Sequence, residues 1–279
     1  MTILLIFTFG LCLGSFLNVL IFRLKDDKSI LGRSQCPKCL RQLKWFENIP
    51  LLSFIFLRAK CASCKQPISW QYPLVELTSG VLWVVAFVIA SEAIRRSAAI
   101  STFSNGIVTS SASSVLLAMT PNDWLVFTTF GVFVTILLVL FVFDFRWYIL
   151  PDQITIPAIV IVIILQLFLS VSITNLLIAG LAGAAWFGAQ YFVSKGKWVG
   201  DGDIRLGALI GLMLGTWQLL LTTFFMAYIG GAIISIILLL LGKVKRGAKL
   251  PMGAFLTVAA LIGLIWGNKI WQWYMGILW

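Results

Sequence analysis

Asp144 directly follows Leu-Phe-Val-Phe, and Asp203 closes the run Gly200-Asp201-Gly202-Asp203 just ahead of another long apolar stretch. An ionised carboxylate at mid-bilayer costs about 2.5–3.5 kcal/mol, so acids set in apolar surroundings are candidates for function by default. Two carboxylates sharing one proton can hydrolyse a peptide bond. The ionised member takes a proton from water while the protonated one polarises the carbonyl. Like charges a few ångström apart cannot both ionise, which keeps one acid protonated near neutral pH. Glycines beside Asp203 would let backbone or a peptide substrate come close. Structural readings stand beside this one: Asp144 as a helix cap or a partner of Arg146, and Asp203 as a partner of Arg205 or part of a glycine turn. Asp152, after Pro151, has the setting of a helix N-cap, and Asp201 that of a solvated acid. The chain has no histidine, which excludes Ser-His and Cys-His nucleophiles, His-ligated haem and HExxH zinc proteases.

A second constellation is Cys36-Pro-Lys-Cys39 and Cys61-Ala-Ser-Cys64. Two Cys-x-x-Cys knuckles predict a tetrahedral zinc site with Cys36, Cys39, Cys61 and Cys64 as ligands, and such a closed site is structural, not catalytic. A pair of disulfides is the alternative, which a reducing compartment disfavours. A loop of about fifty residues has too little core to fold alone, so a metal staple makes physical sense. Cys12 reads as a small buried hydrophobe.

These residues must be positioned by membrane helices. With 60% hydrophobic and 11% charged residues, the chain cannot cover a globular surface with polar groups, since soluble domains carry roughly 25% charged residues. The reading is an all-α polytopic membrane protein of about eight transmembrane helices, at 2–22, 74–91, 124–143, 154–172, 175–193, 206–222, 223–241 and 252–267. A small zinc-stapled cytosolic domain lies between the first two spans. The first run has no basic stretch before it and its charges follow at Arg23 and Lys25, the pattern of a retained anchor. If loop 23–73 is cytosolic, then of the 21 Lys and Arg only Arg95, Arg96 and Lys269 fall outside, so the amino terminus faces outward. The net charge of +11 then anchors the cytosolic face to anionic lipid and calls for no nucleic acid. Asp144 and Asp203 fall at similar depth on the cytosolic face, whereas Glu92 and Asp123 fall on the other. Segment 92–122, rich in Ser and Ala, reads as a loose outer loop. The domains expected are a first helix (1–22), a cytosolic four-cysteine domain (23–73) and a transmembrane peptidase domain (74–279).

Phe143-Asp144 with Leu150-Pro151-Asp152, and Gly200-Asp201-Gly202-Asp203, resemble the two catalytic motifs of the type IV prepilin peptidases, a family of Gly-x-Gly-Asp aspartic proteases. Gly14-Ser15-Phe16-Leu17-Asn18-Val19, the four-cysteine loop, Glu47-Asn48-Ile49-Pro50 and Tyr72-Pro73-Leu74-Val75-Glu76 follow in the family's order, so the resemblance covers nearly the whole chain. It implies catalysis by Asp144 and Asp203. The implied substrates are type IV prepilins and type II secretion pseudopilins, cleaved after the leader at the cytosolic boundary of the bacterial inner membrane. It also implies N-methylation of the new amino terminus with S-adenosylmethionine as donor, associated with the cytosolic domain. No glycine-rich nucleotide fingerprint occurs there; Asn18, Glu47, Lys60 and Glu76 are the candidates to support it. One departure is Leu250-Pro251-Met252-Gly253-Ala254, where the family more often has Pro-Phe-Gly-Pro, and altered packing near the last span is expected. The competing functions are a peptidase without methyl transfer and an ion- or proton-coupled transporter. The latter would require inverted repeats or broken mid-membrane helices, and no internal repeat is evident.

Overall fold

The computed structural model describes residues 1–29, 31–102, 120–245 and 250–278, with 92–102 and 278 described as backbone only. Among them the regular structure is helical: α1 Thr2–Lys25, a 3-10 turn Trp45–Asn48, α2 Leu52–Phe56, α3 Gln71–Thr102, α4 Pro121–Trp147, α5 Asp152–Phe168, α6 Ile173–Ser194, α7 Asp201–Leu214, α8 Trp217–Leu240 and α9 Met252–Leu278. The polytopic all-α reading is therefore correct. Six helices are long and apolar enough to cross a membrane: α1, α3, α4, α6, α8 and α9. The other two expected spans correspond to α5 and α7, of 17 and 14 residues, which at 1.5 Å per residue reach only about 26 and 21 Å. The run 206–241 divides at Gly215–Thr216, not at 222–223. Gly215 takes the left-handed conformation (φ 68°) that closes α7, and extended Thr216 opens α8. A uniformly apolar run carries no charge to mark that break. Part of the expected loop 92–122 is helical, as α3 continues to Thr102; residues 103–119, Arg246 and Lys249 lie outside the described residues.

The chain divides into two compact units, Met1–Thr135 and Ile136–Trp279. In the first, α1 lies against α3 because Gly14 leaves no side chain between them: a Cβ there would sit 2.7 Å from the Glu76 Cα. Asn18, fully buried, donates through Nδ2 to the Tyr72 carbonyl at 3.1 Å and ties the same two helices.

In the second unit α7 is central and touches α5, α6, α8 and α9. Its contact with α6 is backbone on backbone, as small residues allow in membrane helices: a Cβ on Gly207 would meet the Gly183 carbonyl oxygen at 2.6 Å. At the other end of α7 the last carbonyls, orphaned where the helix stops, accept from buried Gln166 of α5. Its Nε2 donates to Leu212 at 2.9 Å and Met213 at 2.7 Å. Short α7 is thus fixed along its length, and with it the acids in its first turn.

Overpacking a close-packed contact costs about 1–3 kcal/mol. Gly207→Ala should therefore lower the thermal midpoint of the detergent-solubilised protein, whereas Gly230→Ala, whose Cβ meets nothing within 4 Å, should leave it within error. Equal midpoints for the two would contradict the α6–α7 packing.

Candidate active site and cysteine centre

Asp144 lies in the last turn of α4 and is buried, 6% exposed. Its Oδ2 accepts from the Ala254 N–H at 2.6 Å, in the first turn of α9. Gly253 lies directly against the carboxyl group; a Cβ there would be 2.9 Å from both Cγ and Oδ2. Asp203 lies in the first turn of α7, and its Oδ2 accepts from the Gly200 N–H at 3.1 Å, bending back over the helix start. Burial raises the Asp203 carboxyl to about 6; the Gly200 N–H opposes that, and the charge of Asp144 adds to it. The two acids, fifty-nine residues apart in sequence, are in electrostatic reach of each other.

The structural alternatives resolve residue by residue. Asp203 does not take Arg205 as its ion-pair partner. Arg205 binds Asp152 and, at 3.0 Å, Asp201. Asp152 is not the N-cap of α5: Pro151 is, and Asp152 is the first helical residue. The Arg205 ion pairs join the starts of α5 and α7. Leu150 packs on Gly202, where a Cβ would meet it at 3.0 Å. The loop after Asp144 is thereby held on the turn that carries Asp203. Gly253 and Ala254 were expected only to alter packing, yet they supply the contact to Asp144. Their proximity to an acid 110 residues away leaves no local signal in the sequence.

In the first unit the four cysteines converge: the Sγ atoms of Cys36, Cys39, Cys61 and Cys64 all lie within 4.8 Å of one another. Thiolates at the usual 2.3 Å around a tetrahedral zinc would be about 3.8 Å apart, and Cys36 and Cys64 are 3.9 Å apart. All are free thiols. The donor set fits a metal. Each pair sits on the same local structure. Gln35 bridges Gln42, and Lys60 bridges Pro67. The residue after each second cysteine, Leu40 and Lys65, has positive φ. Backbone N–H groups of Cys64 and Ser63 draw the Cys61 thiol down, while burial and the neighbouring thiols push Cys64 up, so the cluster gives up its first proton at Cys61.

Of the candidates around this module, Glu47 braces it. Its carboxylate accepts from the Lys44 N–H at 2.7 Å and from Arg41 at 2.6 Å. The first of these, then the guanidinium, hold it below the ordinary carboxylate range. Glu76 accepts from the N–H of Leu51 at 2.8 Å, a residue held at φ 60°. Lys60 is exposed.

Two buried or half-buried acids in the second unit and a cluster of four cysteines able to hold a metal in the first are the features of a membrane hydrolase with an added cysteine module. Comparison with known proteins gives the same result. Residues 8–90 match the bacterial peptidase A24 N-terminal domain, and residues 131–236 match the type IV leader peptidase family. The prepilin leader peptidase/N-methyltransferase of Aeromonas hydrophila is 32% identical over 97% of this chain and 93% of its own. That of Stutzerimonas stutzeri is 30% identical over 95% and 91%, and that of Pseudomonas aeruginosa 29% over 95% and 91%. No solved structure matches the chain. The chain belongs to the type IV leader peptidase family.

Because the folded state raises the Asp203 carboxyl from 3.8 to about 6, it binds a proton more tightly than the unfolded chain does. Its stability contribution is therefore full below about pH 4 and is lost as pH rises through 6. Asp203→Asn, permanently neutral, should melt higher than the wild type at pH 7.5, with the gap closing towards pH 4. A gap independent of pH would contradict the environment described.

Proposed function

We propose that this chain is the enzyme that removes the leader of type IV prepilins and N-methylates the new amino terminus, with Asp144 and Asp203 as the catalytic acids of the cleavage. Family membership supplies the reaction. The assignment of residues rests on one observation: within a single compact unit the loop that follows the buried Asp144 packs, through Leu150, on Gly202 in the turn that carries Asp203. One carboxylate takes a proton from water as its oxygen attacks the scissile carbonyl, and the other, protonated, neutralises the developing oxyanion. With no histidine available, a shared proton on two carboxyls suffices.

Substrate physics agrees. A basic leader stays in the cytosol while the apolar helix of a prepilin or pseudopilin stays in lipid, so the scissile bond lies at the interface. The charge asymmetry favours an inner-membrane protein with its amino terminus outward and both acids at the cytosolic edge. We assign cleavage to the transmembrane peptidase domain (74–279). Methyl transfer we associate with the four-cysteine domain (23–73), with structural zinc on Cys36, Cys39, Cys61 and Cys64 and S-adenosylmethionine as donor. A free amino terminus with a pKa near 8 is partly neutral at physiological pH and can accept the methyl group directly.

Asp144→Asn and Asp203→Asn should each abolish leader removal while remaining folded and membrane-inserted. Full cleavage by either purified variant, read by mass spectrometry of a prepilin substrate, would refute the pair. The same assay with S-adenosylmethionine should add one methyl mass to the mature product. Metal analysis of the purified protein should give one zinc per chain, lost in Cys36→Ser together with Cys61→Ser; retention of full zinc by that variant would contradict the centre.

A further inference from the structure

Given the pair proposed above, its two members are not equivalent. Asp144 receives the Ala254 N–H at 2.6 Å and faces the Gly253 N–H as well. Asp203 receives a single N–H, from Gly200, at 3.1 Å. Hydrogen bonds to an ionised acceptor favour the charged form, and more so when shorter. The remaining charges point the same way. On α7, Asp201 adds like charge beside Asp203, and Arg205 is occupied by Asp152 of α5 and by Asp201. On α4, Arg146 lies over the Trp147 ring. The described part of α9 carries no charged side chain before Lys269. Helix ends oppose this only in part. Asp203 sits at the favourable start of α7, while Asp144 lies between the end of α4 and the start of α9; a dipole end is weaker than a charge-assisted hydrogen bond.

We propose that the first turn of α9, through the backbone N–H groups of Gly253 and Ala254, holds Asp144 as the ionised, water-activating member and leaves Asp203 to carry the shared proton. Asp144 takes a proton from water as the water oxygen bonds to the carbonyl carbon, and Asp203 gives its proton to the carbonyl oxygen. As the C–N bond breaks, the proton on Asp144 passes to the leaving nitrogen and a diol hydroxyl returns one to Asp203. Gly253 and Ala254 are positioning residues: they act through Asp144. Gly253 is required because any Cβ would occupy the space of the carboxyl group.

The test is the pH profile of prepilin cleavage, whose acid limb marks protonation of the ionised member and whose alkaline limb marks loss of the shared proton. Ala254→Pro deletes the 2.6 Å donor and should move the acid limb up by about one pH unit without moving the alkaline limb; Ala254→Gly keeps the N–H and should keep both limbs. Movement of the alkaline limb alone, or of neither limb in folded protein, would overturn the assignment. Should Ala254→Pro fail to fold, Gly200→Pro gives the reciprocal reading. Gly200 has φ −79°, which proline accepts, and a Cβ there comes no closer than 3.8 Å to Asp203. Loss of its N–H should raise the alkaline limb alone, and movement of the acid limb instead would overturn the assignment. Absence of cleavage by the wild type would indict the proposed function itself, whereas a bell-shaped profile with the wrong limb moving indicts only the roles.

Discussion

A carboxyl group buried at the end of a membrane helix must be held by something, and for Asp144 that something is the start of α9. The four N–H groups at a helix start have no partner within the helix, so they can serve a buried acid without a positive side chain. A lysine or arginine at that place would lock the acid as a permanent ion pair and remove it from proton exchange. Backbone donors stabilise the anion and leave it able to accept a proton. The other features of the second unit fix the helix that carries Asp203.

Asp203 is carried by the shortest helix among the six of that unit's packing, and a short helix is easily displaced. It is held by backbone contact with α6 at Gly207 and by the Gln166 amide on its final carbonyls. At its start it is held by the ion pairs of Arg205. Both ends and one side of α7 are thus fixed by different chemistry. The polar contacts are placed where backbone groups would otherwise be unpaired, and the small residues where helices must approach closely.

The sequence was most readable where a single residue type carries an energetic cost. Buried acids, paired cysteines and long apolar runs each demand an explanation, and Asp144, the four cysteines and the six long helices were found that way. Their partners were less readable. Ala254 and Gly253 contribute backbone and empty space, which no side-chain inventory can detect. The junction at Gly215 was misjudged because both sides of it are equally apolar. Asp152 was expected to cap a helix and instead pairs with Arg205: Pro151 holds the cap position, its carbonyl accepting the Ile154 and Thr155 N–H groups, and Asp152 is the first helical residue.

The central claim is that two carboxyls from α4 and α7 meet. The most direct check replaces both, Asp144→Cys and Asp203→Cys, in a Cys12→Ser background, and applies mild oxidation in native membranes. Peptide mapping by mass spectrometry then reads which cysteines have joined. The account predicts a disulfide between positions 144 and 203 in the folded protein. Failure to join them, by oxidation and by short bifunctional thiol reagents alike, while Cys36, Cys39, Cys61 and Cys64 remain unmodified, would contradict it.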